Sequence, residues 1–126
     1  MKSKFSKNWN SSVQPRKQRK FVANAPLHLR KDQLSVHLSE ALRKQYGKRS
    51  CIVRTGDKVR ILRGNHRGKE GRVEKVSYKD YFVNVAGVTY SKPDGNSSFY
   101  PIDPSNLMII DLDISDTKRK KVLERK

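Results

Sequence analysis

Between residues 58 and 63 the chain reads KVRILR, and charged positions alternate with apolar ones so that Val59 and Ile61 fall on one face. A period of two marks a strand with one side buried. Residues 72–77 supply Val73 and Val76, and a Lys79-Asp80 turn leads into residues 81–86, where Phe82, Val83 and Val85 have high strand propensity. Residues 88–91 continue extended, Pro93-Asp94-Gly95 marks a second turn, and residues 98–102 and 107–112 give two further short strands separated by Pro104. Five or so short strands within about 60 residues are too few for a sandwich and suit a small, strongly bent barrel. A unit of that size buries only about 60% of the surface its unfolded chain exposes, so its stability is marginal.

Outside this block the pattern turns helical. Pro26, after Asn24-Ala25, opens a short helical turn, and Ser35 is placed to cap a helix reaching Tyr46, with Gly47 to end it. Leu38, Leu42 and Tyr46 recur every four residues and form an apolar face, read as packing on the barrel rather than as a binding groove. Ser115 or Asp116 is positioned to cap a last helix through the KRKK of residues 118–121, where Val122 and Leu123 offer little apolar anchorage. The predicted fold class is mainly β, a small barrel with a basic, partly helical N-terminal arm and a short C-terminal helix. The expected divisions are a basic extended tail over 1–23, a helical basic arm over 24–50, the barrel over 51–114 and a basic helix over 115–126.

Charge sharpens this outline. The 126 residues carry 29 Lys and Arg against 12 Asp and Glu, a formal net of +17. An excess of that size points to a polyanionic partner. Residues 1–50 hold thirteen basic side chains against Asp32 and Glu40, residues 51–116 are nearly balanced, and residues 117–126 hold six basic side chains against Glu124. The balanced segment is itself polarised: residues 54–79 have nine basic and three acidic side chains, whereas residues 80–116 have Lys92 alone against six aspartates. Only the first half is expected to meet the anion, with the aspartate-bearing half facing solvent or protein.

The same composition excludes several classes. No apolar run approaches the roughly twenty residues needed to span a bilayer, and residues 1–12 lack the apolar segment of a secretory signal. The expectation is a soluble intracellular protein without membrane insertion. Cys51 is the only cysteine, so no internal disulfide forms, and it reads as a small apolar residue. His28, His37 and His66 are too scattered to make a metal site with it. No cofactor, metal or homo-oligomer is expected.

The candidate chemistry lies in residues 63–72, RGNHRGKEGR. A nucleotide-binding P-loop needs four residues between its glycines and then Lys followed by Ser or Thr, but Gly64 and Gly68 enclose three and Glu70 follows Lys69. The dinucleotide pattern needs a Gly-x-Gly pair opening a helix, and the chain has none. Asp111, Asp113 and Asp116 lack the glycine and terminal Glu of a calcium loop. What remains is a strand, a glycine-punctuated basic loop and a second strand. Together with Gly56-Asp57-Lys58-Val59, the run from Gly64 to Val73 closely resembles the KOW motif, which in nucleic-acid proteins forms the start of an SH3-like barrel.

The flanks narrow that resemblance. Asn24-Ala25-Pro26-Leu27-His28, the LSEALRKQY of residues 38–46, Arg49-Ser50, the PIDPSN of residues 101–106 and the closing LERK are similar to the archaeal and eukaryotic branch of ribosomal large-subunit protein twenty-four. The likeness runs from about Lys20 onward, while residues 1–19 depart from it as an extension containing Trp9. It implies a structural ribosomal protein that binds the 5' region of large-subunit rRNA early in assembly. It further implies a place beside the nascent-chain tunnel exit, with ribosomal proteins and nascent-chain or targeting factors as neighbours.

In the loop, Arg63, Asn65, His66, Arg67 and Lys69 are the expected rRNA contacts, with Gly64 and Gly68 letting the main chain approach closely. In the arm, Arg16, Lys17, Arg19 and Lys20 are expected to bind, with Arg30, Lys31, Arg43, Lys44, Lys48 and Arg49 behind them. Trp9, in a polar arm with no local core, is a stacking candidate, whereas Tyr78 and Tyr81 flank a turn and are read as closing the barrel. One rival is a transcription elongation factor with the same motif, but such proteins place a mixed α/β domain ahead of the barrel where this chain has a basic arm. An enzyme is the other, and the chain shows neither paired carboxylates near a histidine nor a metal constellation.

Overall fold

The computed structural model describes residues 5–6 and 12–125. In chain order it contains α1 (Pro15–Asn24), α2 (Leu27–Arg30), a 3-10 turn (Lys31–Gln33), β1 (Ser35–Leu38), α3 (Glu40–Tyr46), β2 (Ser50–Ile52), β3 (Lys58–Ile61) and β4 (Glu70–Ser77). It continues with β5 (Phe82–Val85), β6 (Thr89–Ser91), β7 (Ser97–Phe99), a second 3-10 turn (Pro104–Asn106), β8 (Leu107–Asp111) and α4 (Thr117–Glu124). The main sheet runs β2-β1-β8-β3-β4-β5, with β6 and β7 forming a separate hairpin. Irregularities in register at Lys58/Val59 and Val73/Lys75 bend it, as bulges do by adding local twist. This is the barrel-like, mainly β fold expected, with β2 and β5 at the edges of the sheet.

Alternation decides which faces are covered. Strand β3 buries Val59 and Ile61 and exposes Lys58 and Arg60, while β8 buries Leu107 and Ile109. These join Val36, Leu38, Val53, Val73, Val83, Val85 and others in a single apolar cluster, against which Leu42 and Tyr46 of α3 pack. Each fully buried Val, Leu or Ile stabilises the fold by about 1.5–3 kcal/mol.

Three expectations need correction. Ser35 caps no helix: residues 35–38 pair antiparallel with β2 and parallel with β8, and the helix begins at Glu40 after Ser39. The physical reason is that Leu34, Val36 and Leu38 are all buried and alternate with period two. The four-residue spacing from Leu38 to Tyr46 masks that alternation. Residues 15–23 of the tail expected to be extended lie instead in α1 (Pro15–Asn24), whose start Pro15 favours. Finally, α4 is better anchored than its composition implies, since Leu123 and Arg119 are both buried. Asp116 caps this helix by accepting from the Lys118 N–H at 2.9 Å, as expected, and Gly47 ends α3 with a φ of 65°.

Candidate nucleic-acid interface

The loop between β3 and β4 is closed from both sides. Ile61 N–H donates to Lys69 O at 2.9 Å and Gly68 N–H to Ile61 O at 2.8 Å, while Arg67 N–H and Lys69 N–H reach back to Gly64 O and His66 O. Leu62 N–H donates to Asn106 O at 2.8 Å, tying the loop to the turn before β8. Gly64 and Gly68 hold φ values of 96° and 85°, and no atom of the described residues lies within 4 Å of where a Cβ would stand. Left-handed backbone is costly for other residues, and the open space leaves both positions approachable. Gly71 serves packing instead, because a Cβ there would sit 2.6 Å from Ala86 O.

The single acidic side chain of this stretch is diverted from the tip. Glu70 accepts from Arg60 Nε at 2.8 Å and lies 3.6 Å from Lys58 Nζ. The Arg60 hydrogen bond above all, helped by the charges of Arg60 and Lys58, holds its carboxyl below the usual range. Among the described residues neither Arg63 nor Arg67 has a carboxylate partner. Lys69 Nζ lies 3.2 Å from His66 Nδ1. The His66 ring stands 5.2 Å from that of Tyr100, which meets Tyr90 edge-on at 6.5 Å.

The cations of the arm differ in how far the fold uses them. Arg16, Arg19 and Lys20 are exposed along α1 and Lys17 is half-buried there. Arg30 is committed to the fold: it donates to Ala25 O at 2.7 Å, Ala23 O at 3.0 Å and Lys79 O at 3.2 Å, with its guanidinium 5.6 Å from the centre of the Tyr81 ring. Tyr81 in turn donates its hydroxyl to Val22 O at 3.0 Å. Arg43 Nε donates to Leu38 O at 2.9 Å, Lys44 pairs with Glu40 at 2.9 Å, and Lys48 Nζ donates to Val122 O. Lys31 and Arg49 are exposed. Lys31 and Lys48 line a cleft of about 330 Å³ with Cys51, Tyr78 and Arg119. Trp9 lies outside the described residues. The structure thus gathers the loop candidates at one tip and the α1 candidates on one helix, while Arg30 and Arg43 secure their own backbone.

A family model describing the ribosomal proteins named L26 in eukaryotes and L24 in archaea matches residues 12–126. The chain belongs to this family. Membership makes it a ribosomal protein of a structural, non-enzymatic kind, located in the large ribosomal subunit of the cytoplasm, with rRNA and other ribosomal proteins as the partners it implies. The match takes in α1, the glycine loop and α4, but stops short of Trp9.

Two features of this ribosomal protein escape a reading of its sequence. Asp57 and Arg119 form a buried ion pair: Arg119 Nη2 donates to Asp57 Oδ2 at 2.6 Å and Nη1 to Oδ1. The same fork reaches Asp113 O at 2.8 Å and Ile52 O at 3.1 Å, and Asp57 also accepts from Arg54 N–H and Asp113 N–H. Within KRKK nothing distinguishes Arg119 except its place four residues before Leu123, on the same helix face. The second feature is the exposed aromatic group of Tyr90, Phe99 and Tyr100. Its signal is the mixture of large rings with Thr and Ser in two short extended segments, which a buried strand would not need.

Proposed function

We propose that this ribosomal protein binds the 5' region of large-subunit rRNA through its glycine loop and α1, joins the subunit early in assembly and lies beside the nascent-chain tunnel exit. Nascent-chain or targeting factors are then its neighbours there. The observation that carries the binding reading is the fate of Glu70: tied to Arg60, it leaves Arg63 and Arg67 unneutralised on a tip whose backbone is open to approach. Lys and Arg that neutralise phosphates release condensed counterions, and this release supplies affinity. Arginine adds a planar fork matched to phosphate oxygens. In this division of labour the barrel holds the loop, the arm from residues 1–23 extends the contact, the basic side chains of residues 24–50 stand behind it, and the basic helix of residues 115–126 is fixed to the barrel through Arg119. The exposed Asp94, Asp111 and Asp113 face solvent or neighbouring protein.

Titrating the full chain with a transcript of that rRNA region at several salt concentrations tests the reading. Affinity is expected to fall steeply and linearly on logarithmic axes. The slope should shrink by about 0.7–0.9 for each phosphate left without its cation when Arg16, Lys17, Arg19 and Lys20 are changed to Gln. A response to salt that is flat, or indifferent to those changes, defeats phosphate neutralisation by the arm.

A further inference from the structure

We propose that Tyr100, with His66 and Tyr90 beside it, is a stacking platform for one unpaired nucleobase, and that Arg63 and Arg67 hold the phosphates flanking that base. This rests on the RNA-binding reading above and adds the form of RNA that the loop takes, a splayed-out single-stranded nucleotide rather than the backbone of a duplex.

Single aromatic rings on a surface are ordinary. Here Tyr100 meets two further rings, His66 on one side and Tyr90 edge-on, and Tyr90 and Tyr100 are 44% and 43% exposed. Their backbone is fixed. Tyr100 N–H donates to Val88 O at 3.0 Å, and two residues later Ile102 exchanges hydrogen bonds with Val83 of the main sheet. A ring presented from a fixed backbone pays little entropy when a base stacks on it.

Beside Tyr100 lies a cavity of about 240 Å³, lined among others by Arg63, Gly64, Asn65, Asp103 and Asn106. That is below the roughly 300–1,000 Å³ of sites for drug-sized ligands, and it suits a single planar heterocycle. The side-chain amides of Asn65 and Asn106 make no hydrogen bond to another described residue. Each offers a donor and an acceptor, the combination that the Watson–Crick edge of an unpaired base requires. The cationic tip favours an anionic occupant over a polypeptide segment, and a base inside a duplex cannot present its face to a tyrosine.

The full chain would be titrated with a short single-stranded RNA whose one base is a fluorescent adenine analogue, its other positions being abasic, and with the same RNA made abasic at that position too. Quenching of the analogue on binding is expected. Tyr100→Leu should weaken binding about 5- to 100-fold and abolish the quench, while Tyr100→Phe keeps both. The abasic RNA should bind the unaltered protein as weakly as the intact RNA binds Tyr100→Leu, a comparison that needs no folded variant. Neutralising Arg16, Arg19 and Lys20 should lower the salt slope and leave the quench in place. Unchanged affinity for the abasic RNA without quenching overturns the platform and leaves phosphate binding standing, whereas no binding of either RNA overturns both.

Discussion

Arg119 stands in a run of four basic residues, the other three of which are exposed, yet it is only 4% exposed and its partner Asp57 is fully buried. Burial of a charged pair is tolerated because every carboxylate oxygen is satisfied: one takes Arg119 and Asp113 N–H, the other Arg119 and Arg54 N–H. Removing one partner leaves an uncompensated charge in the interior, at a cost of about 3–5 kcal/mol. Asp57→Ala is therefore expected to lose about that much stability in denaturant unfolding, while Lys118→Gln on the same helix stays within about 0.5 kcal/mol. Equal, small effects would show that α4 is held without help from the Asp57–Arg119 pair. Lysine is a poor substitute at 119, since one ammonium lacks the planar fork that meets both Asp57 oxygens and two carbonyls. The sequence does not reveal this pair because its partners are 62 residues apart and one is camouflaged by its neighbours.

At the scale of elements, the β3–loop–β4 unit is readable because alternation and glycine spacing both act over a few residues. Strand β1 is not, since its identity depends on β2 and β8 supplying hydrogen bonds from distant segments. The glycine loop's position follows from the sequence as well, but the diversion of Glu70 depends on cross-strand pairing with Arg60, and the aromatic group on a hairpin packing back toward the loop. Helix α1 is a further case. It contains no buried residue, and its ties to the barrel include the Tyr81 hydroxyl and the Arg30 fork. Arg30→Ala is expected to speed amide hydrogen exchange across α1 by about tenfold, the equivalent of roughly 1.4 kcal/mol, while exchange in β3 and β8 stays unchanged. Uniformly faster exchange throughout the chain would mean that Arg30 supports the barrel rather than its joint with the arm.

For the molecule as a whole, the excess positive charge makes its few carboxylates matter. Glu70 is held below its ordinary 4.5 chiefly by Arg60, Asp113 below 3.8 by the Ser115 hydrogen bonds, and Asp116 below 3.8 by Arg54. A carboxyl with a folded pKa below its unfolded one contributes stability that is complete above the unfolded value and disappears as pH falls through the folded one. Protonation in that range also adds to an already large repulsion. The denaturation midpoint should therefore be nearly flat from about pH 7 to 5 and fall progressively below about 4.5. A midpoint unchanged down to pH 3 would contradict it.

The parallel pairing of β1 with β8 also governs timing. His37 lies opposite Met108, so one neighbour of β1 is 71 positions further along, from 37 to 108. While the protein is itself being synthesised, β1 emerges with β2 soon after it but must wait for β8 before its other edge is covered. Contacts so distant in sequence slow folding, and an open edge invites pairing with the wrong chain. The strongly cationic first segment has by then already emerged ahead of β1, and like charge on newborn copies opposes pairing of those edges until the sheet is complete.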